Sequence, residues 1–183
     1  MTKISLALQR AAVALMTANC ALGAQAALKT GDPAPLFKTD AAVAGKPFPF
    51  DMATALKKGP VVLYFFPKAF TKGCTIEANA FAEATPRFTA LGATVVGMSR
   101  DTIDTLKKFS VEECRDKFAV ASDPDGKTIR AYDAASLMPG MASRISYVVG
   151  QDGKIVFAHE GSDPLRHVEE TTKAVERLQA KGQ

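Results

Sequence analysis

The chemistry that this sequence offers is centred on Cys74, which follows an apolar run ending at Pro67. Apolar residues recur from Cys74 to Leu91 at nearly helical spacing, which places the cysteine in the first turn of a helix. The unpaired N–H groups and the dipole at a helix N-terminus favour an anion, and therefore favour the nucleophilic thiolate over the thiol. Thr71 stands three residues earlier, where its hydroxyl can reach the cysteine by N-cap geometry. The pattern indicates thiolate chemistry, but its spacing is equally compatible with a buried, inert cysteine.

The elements that must position Cys74 alternate between strand and helix. Val61 to Phe66 is a continuous run of β-branched and aromatic residues, which is typical of a strand buried on both faces. The same patterning predicts strands at Thr94 to Met98, Phe118 to Ala121, Ile145 to Val149 and Ile155 to Ala158, the last two joined by an Asp-Gly turn. Helices are expected at Asp101 to Phe109, at Thr128 to Tyr132 and after Ser162. In the last of these, Ser162 is the expected N-cap and Pro164 lies in the first turn. The residues expected to face inward are Leu165, Val168, Val175 and Leu178. This order predicts an α/β fold with a central mixed β-sheet flanked by helices.

The N-terminal segment has the three parts of a secretory signal peptide. Met1 to Arg10 is short and basic, Ala11 to Gly23 is apolar, and Ala24-Gln25-Ala26 fits a small-x-small cleavage motif. The apolar part is too short to cross about 30 Å of hydrocarbon as a helix. We therefore expect a signal peptide over residues 1–26, a single domain over residues 27–183, and export to the periplasm without stable membrane association after cleavage.

Composition excludes several other classes of protein. A chain of 183 residues, with 47% hydrophobic and 23% charged residues, suits one globular domain. The net charge of +4, with no Trp and 3 Tyr, gives no reason to expect nucleic acid as a partner. The two histidines, His159 and His167, have no acidic or cysteine neighbour at metal-ligand spacing, so we expect no metal site.

The residues from Pro67 to Cys74 read P-x-x-x-T-x-x-C and resemble the active-site signature of the peroxiredoxins. The surrounding stretch, residues 61–81, is most similar to the bacterioferritin comigratory protein or PrxQ subfamily. Gly31 to Phe37 resembles the opening segment of that family, and Arg144 to Lys154 resembles its arginine-bearing strand and hairpin. The resemblance covers nearly all of the chain after residue 26. It implies a thioredoxin-like fold and a thiol-dependent peroxidase for hydrogen peroxide and organic hydroperoxides, without cofactor or metal.

The resemblance also implies a role for each residue of the motif. Cys74 would be the peroxidatic cysteine, whose thiolate attacks the peroxide and becomes a sulfenic acid. Arg144 would stabilise the charge that moves from sulfur to the leaving oxygen, and Thr71 would hydrogen-bond the peroxide and the thiolate. The backbone N–H groups of Gly73 and Cys74 would help to hold the peroxide. Pro67 would shield the sulfur from water.

One position departs from the pattern of many close relatives. Their resolving cysteine stands five residues after the peroxidatic one, where this chain has Asn79. Cys114 is therefore the candidate resolving residue, and the alternative is a one-cysteine enzyme that borrows an external thiol. The resemblance further implies that Glu77 orients the arginine; a solvated helix face is the alternative for that residue.

Two other functions compete with a peroxidase. A thiol–disulfide oxidoreductase of thioredoxin-like fold would carry C-x-x-C, but Thr71 stands at the place of the first cysteine. A copper-carrying module would need C-x-x-x-C, and Ala78 stands at the place of the second cysteine. For the peroxidase, the expected partners are a hydroperoxide and a thioredoxin-like or small-thiol reductant, and the expected state is a monomer or homodimer.

Overall fold

The computed structural model of the protein describes residues 27–181, so the expected signal peptide lies outside the described residues. Within them the chain forms seven strands and five helices. The strands are β1 (Lys38–Val43), β2 (Lys46–Asp51), β3 (Val61–Phe65), β4 (Thr94–Ser99), β5 (Ala119–Ser122), β6 (Ile145–Val149) and β7 (Ile155–Glu160). The helices are α1 (Met52–Leu56), α2 (Lys72–Ala90), α3 (Ile103–Glu112), α4 (Lys127–Ala131) and α5 (Pro164–Lys181).

The strands form one mixed sheet in the order β2-β1-β5-β4-β3-β6-β7. β3, β4 and β5 run parallel, whereas β6 is antiparallel to β3 and β7 is antiparallel to β6. This confirms the predicted mixed sheet and the predicted hairpin. Because β6 runs opposite to β3, the beginning of β6 lies beside the end of β3, where Phe65 pairs with Ile145. That register brings two segments 80 residues apart in sequence to one corner of the sheet.

The alternation of side chains along β3 builds a core on each face of the sheet. One face carries Val62, Tyr64 and Phe66 and packs against α2, α3 and α5. The other carries Val61, Leu63 and Phe65 and packs against α1 and α4. Both faces are apolar, which is why the strand reads as an uninterrupted hydrophobic run.

The hairpin formed by β1 and β2 was not predicted. Its strands carry few β-branched residues, and β2 contains Pro47 and Pro49, which are tolerated because β2 is an edge strand. The turn is built by Ala44 and Gly45, both at positive φ (49° and 73°), rather than by the Asn-Gly or Asp-Gly pair that marks such turns in sequence.

The predicted start and inward face of the last helix were partly wrong. Asp163, rather than Ser162, caps α5, because its carboxylate accepts from the backbone N–H of Leu165 at 3.0 Å. Leu165 was expected to face inward but is 56% exposed, whereas the polar residues His167 and Thr171 are fully buried. The apolar pattern misplaced the buried face because polar groups that hydrogen-bond one another occupy part of it. None of the helices within residues 27–181 has the length and apolar character needed to cross a membrane.

Candidate active site

Cys74 is the third residue of α2 and is 1% exposed, which confirms its predicted place in the first turn. Asp101 holds the loop that leads into the helix. Its carboxylate accepts from the backbone N–H of Ala69 at 2.8 Å and from the Ser99 hydroxyl at 2.8 Å. Phe70, at φ 63°, packs its ring edge-on against Phe109 at a centroid distance of 5.2 Å. The cysteine is therefore held at a helix N-terminus, where the amides of the first turn lack intrahelical acceptors.

Arg144 is the charged side chain that contacts the sulfur of Cys74. It directly precedes β6, so the antiparallel pairing with β3 places it above the start of α2. Its Nη2 lies 3.5 Å from Cys74 Sγ, and its side chain is only 11% exposed. A guanidinium with little access to water stabilises a thiolate more strongly than a solvated one, because water screens it less.

Glu77 holds the other side of the guanidinium. It lies one turn after Cys74 on α2, is fully buried, and its Oε2 accepts from Arg144 Nη1. Burial raises the pKa of Glu77 above its ordinary value, and the neighbouring Arg144 opposes that rise. The solvated alternative for Glu77 is therefore wrong, and the carboxylate is positioned to orient Arg144 toward the sulfur.

Thr71 is the N-cap residue of α2, as predicted, but its side chain does not cap the helix. Its hydroxyl instead donates to the backbone carbonyl of Lys68 at 3.0 Å. The expected hydrogen bond from Thr71 toward Cys74 is thus absent from this conformation. The reason is local: the turn from Lys68 to Thr71 offers the hydroxyl a nearer acceptor. Thr71 remains at the exposed entrance to the helix N-terminus.

Gly73 leaves the space that Arg144 occupies beside the start of α2. A Cβ added at Gly73 would lie 3.1 Å from Arg144 Nη2, closer than ordinary van der Waals contact. The guanidinium cannot easily retreat, since Glu77 and Cys74 hold it from two other directions. The glycine therefore lets Arg144 approach the start of α2.

Replacing Gly73 with alanine is expected to separate stability from reactivity. Alanine at an ordinary helical position stabilises a protein by about 0.5–1 kcal/mol relative to glycine. Here the added methyl group displaces Arg144 by a few tenths of an ångström. We expect Gly73→Ala to fold with unchanged or higher stability while Cys74 is alkylated by iodoacetamide about threefold to tenfold more slowly at pH 7. An unchanged alkylation rate would show that the close approach has no bearing on the cysteine.

Pro67 and Arg144 line one cleft at this corner of the molecule. Met138, Glu160 and Ser162 complete its walls. Met138 is exposed, as is its neighbour Leu137, so the rim of the cleft carries apolar side chains on one side. The cleft gives a small polar molecule access to the region of Arg144, and its rim can contact an apolar substituent on that molecule.

Cys114 lies just after α3 and is fully buried in the same apolar cluster as Cys74. Both cysteines are free thiols. Burial, followed by the charges of Glu113 and Asp116, raises the pKa of Cys114 well above its ordinary value, so its thiol is protonated. Cys114 is therefore unreactive in this conformation and must become exposed before it can attack another sulfur.

Two residues that contact the site were not predicted from the sequence. Asp101 was predicted to begin a helix, but α3 begins at Ile103, and the sequence gives no local signal that Asp101 accepts from the loop. His167 was assigned no role, yet its Nδ1 lies 3.9 Å from Glu77 Oε1 and 2.8 Å from the hydroxyl of Ser146. Only Ser146 could have pointed to this contact, since it lies within the Arg144 motif. No cluster of three or more potential metal ligands occurs within residues 27–181.

The fold and the site together define a thioredoxin-like α/β protein with a buried cysteine at a helix N-terminus, beside an arginine. Solved structures share this architecture. The crystal structure of peroxidoxin BcpB from Mycobacterium tuberculosis superposes with a TM-score of 0.75 at 26% identity, covering 82% of this chain and 98% of that one. Mycobacterium tuberculosis AhpC gives a TM-score of 0.75 at 21% identity over 85% of this chain and 96% of that one, a likeness of fold.

The family model of AhpC/TSA matches residues 30–158, and the chain belongs to the AhpC/TSA family. Chloroplastic peroxiredoxin Q from Sedum lineare is 32% identical over 124 residues, which cover 67% of this chain and 66% of that protein. A putative peroxiredoxin from Mycobacterium tuberculosis is 35% identical over 115 residues, 59% of this chain and 72% of that protein. The chain spans 66%, 57% and 56% of the length of the peroxiredoxin Q proteins from Sedum lineare, Triticum aestivum and Gentiana triflora. The resemblance noted in the sequence is thereby confirmed at the level of the family.

Proposed function

We propose that this protein is a thiol-dependent peroxidase that reduces hydrogen peroxide and organic hydroperoxides through Cys74. The observation that carries the proposal is the distance of 3.5 Å between Arg144 Nη2 and Cys74 Sγ at the N-terminus of a buried helix. Both the guanidinium and the free amides of the first turn favour negative charge at that sulfur.

The reaction begins with attack of the Cys74 thiolate on the terminal oxygen of the hydroperoxide. The S–O bond forms while the O–O bond breaks, so sulfur is oxidised by two electrons and the peroxide is reduced. The transferred oxygen keeps its proton and gives the sulfenic acid. The leaving alkoxide or hydroxide takes a proton from water and departs as alcohol or water. Arg144 stabilises the negative charge as it moves from sulfur to the leaving oxygen.

The other residues of the motif are proposed to bind and shelter the peroxide. The hydroxyl of Thr71 can turn from Lys68 and accept a hydrogen bond from the peroxide, since threonine oxygen is both donor and acceptor. The backbone N–H groups of Gly73 and Cys74 are free to donate to its oxygens. Pro67, which lines the cleft beside Arg144, would shield the sulfur from water.

Cys114 is proposed to resolve the oxidised state. Its thiol would attack the sulfenic acid of Cys74, forming a disulfide and releasing water, and a thioredoxin-like or small thiol donor would then reduce the disulfide. Cys114 is followed by Arg115 and Asp116, both non-glycine residues at positive φ (51° and 60°). Such residues raise the energy of the native turn by about 1–3 kcal/mol each, which favours its local opening.

The replacement Cys114→Ser separates attack on peroxide from resolution. We expect the first oxidation of Cys74 to keep its rate constant, while steady-state turnover with a dithiol donor falls by at least about tenfold and Cys74 sulfenic acid accumulates. Stopped-flow oxidation and peptide mass spectrometry give the two readings. Full steady-state turnover in Cys114→Ser would assign the protein to the one-cysteine type.

Export and assembly are also part of the proposal. The basic, apolar and small-residue segments of residues 1–26 support cleavage after Ala26 and a periplasmic location. N-terminal sequencing of the protein recovered from the periplasm tests both points. We propose that the domain acts as a monomer or homodimer, which sedimentation of the reduced and oxidised forms distinguishes.

One equivalent of hydrogen peroxide provides the direct test of the function. Treatment of reduced Cys114→Ser in the presence of dimedone is expected to label Cys74, through its sulfenic acid, with loss of one peroxide per label, since no second thiol competes for the sulfenic acid. A protein that leaves the peroxide unconsumed, yet reduces insulin disulfides, would be the thiol–disulfide oxidoreductase instead.

A further inference from the structure

A buried polar cluster lies behind Arg144, on the side away from Cys74. His167 of α5 is its centre: its Nε2 lies 3.0 Å from the carbonyl of Gly161, and its Nδ1 lies 2.8 Å from the hydroxyl of Ser146. A carbonyl oxygen only accepts, so Nε2 carries the proton and donates to it. Nδ1 of the neutral ring is then an acceptor, and the Ser146 hydroxyl donates to it.

Glu77 presents an unsatisfied atom to this ring. Its Oε2 accepts from Arg144, but its Oε1 is completely buried and has no hydrogen-bond partner within the described part of the chain. Oε1 lies 3.9 Å from His167 Nδ1. Nδ1 already accepts from the Ser146 hydroxyl, so it offers Oε1 no donor. A buried carboxylate oxygen that faces a ring nitrogen acting as an acceptor is unfavourable without water, and one proton held by the two groups removes the conflict.

We propose that Glu77 and His167 form a buried pair that shares one exchangeable proton, and that His167 is in this way a positioning residue that sets the charge presented by Arg144 to Cys74. When the pair holds the proton, Glu77 is neutral, and the full positive charge of Arg144 is available to the Cys74 thiolate. When the pair loses it, Glu77 neutralises Arg144. This inference rests on the proposed function only for its consequence in catalysis, since the pair itself is defined by geometry.

The groups that surround the pair place its proton on Glu77. Burial raises the pKa of Glu77, against the effect of Arg144. Burial also lowers the pKa of His167 to about 4; the carbonyl of Gly161 and the charge of Asp163 oppose that change, while His159 and Arg144 add to it. His159, on β7, packs its ring against His167 at a centroid distance of 4.6 Å.

On the remaining sides of Glu77 lie Tyr64 and Cys74. Burial raises the pKa of Tyr64 well above its ordinary value, so its ring stays neutral. Only the thiolate of Cys74 therefore adds negative charge from that direction. Because charges in one site affect each other equally, a thiolate at Cys74 raises the proton affinity of the pair, and oxidation to the neutral sulfenic acid lowers it.

The two histidines of the chain make the pair directly observable. Nitrogen-15 NMR of the reduced, full-length protein resolves both rings, and His159→Gln assigns them. We expect His167 to remain in the Nε2–H form above about pH 6, with its Nδ1 shift moving in one step as Glu77 ionises. In Cys74→Ser that step should fall by at least about one pH unit, because the thiolate and the Glu77 carboxylate contact the two ends of one guanidinium and charges that close interact strongly at an effective dielectric of ~20. In Glu77→Gln the step should vanish.

The catalytic consequence has its own measurement. We expect His167→Gln to react with hydrogen peroxide about tenfold more slowly than the wild type at pH 7, with the difference closing toward about pH 5, where Glu77 is protonated in both proteins. A purely structural loss would be the same at every pH. His159→Gln is the matched comparison: it removes the ring that contacts His167 but leaves Nδ1 beside Glu77, so its rate should fall far less than that of His167→Gln.

Three results would overturn the proposal: no step at His167, a step that persists in Glu77→Gln, or a step unmoved in Cys74→Ser. The NMR readings need no peroxide turnover, so they stay informative even if His167→Gln does not fold. A protein that shows the step but consumes no peroxide would refute the proposed function and leave the pair in place.

Discussion

Replacing Cys74 with serine is expected to reduce peroxide consumption to the rate at which the donor thiol reacts with peroxide by itself. The hydroxyl of serine is almost entirely protonated at neutral pH and gives no nucleophile comparable to a thiolate. The loss should be complete because Cys114, the other cysteine of the described chain, is buried and protonated.

The assay follows loss of hydrogen peroxide with dithiothreitol in excess, and the unfolding temperature of the same variant shows that the fold is intact. The matched comparison is Cys114→Ser, which removes a thiol from the same apolar cluster but keeps the first oxidation step. If Cys74→Ser still consumed peroxide at the wild-type rate, the assignment of the reaction to this sulfur would be wrong.

Replacing Arg144 with methionine is expected to slow the oxidation of Cys74 by about 10²–10³-fold. That is the cost of removing one preorganised donor at the site of developing negative charge. Arg144 Nη2 lies 3.5 Å from Cys74 Sγ. Water screens this charge little, because the arginine side chain is only 11% exposed. The same change leaves Glu77 buried without its partner, which costs about 3–5 kcal/mol of stability unless the carboxyl takes up a proton.

Stopped-flow measurement of the first oxidation isolates this effect from resolution. Arg144→Lys keeps the charge but loses the planar fork that reaches Glu77 and the sulfur together, so we expect a rate between those of the wild type and Arg144→Met. Arg166→Met removes an exposed arginine from α5 and serves as the control. Equal rates for Arg144→Met and Arg166→Met would remove the guanidinium from the mechanism.

Much of the site could be read from the chain because its signals are local. A buried strand ends at Pro67, a helix starts a few residues later, and Cys74 falls in its first turn; each of these follows from residues within one short segment. The same holds for the hairpin of β6 and β7, where an Asp-Gly turn follows an apolar strand. Local patterns of this kind do not depend on the rest of the fold.

Two of the errors arose where partners that are not sequence neighbours decided the outcome. The edge hairpin of β1 and β2 exists because β1 pairs with β5, which overrides its weak strand propensity. The error at Thr71 is local instead: its hydroxyl donates to the backbone carbonyl of Lys68 and not toward Cys74. His167 faces inward because Ser146, Gly161 and Glu77 surround it there, and none of these is its neighbour in sequence.

The sequence by itself determined that Cys74 stands at the start of a helix, where it meets unpaired amides whatever else the chain does. Only the tertiary structure decided what charge stands beside that sulfur. The antiparallel register of β3 and β6 places Arg144 at the start of α2. The packing of α5 against the sheet places His167 beside Glu77, with Nδ1 3.9 Å from Oε1. Electrostatic interactions fall off with distance and screening, so they depend on which residues the fold brings together and keeps from water.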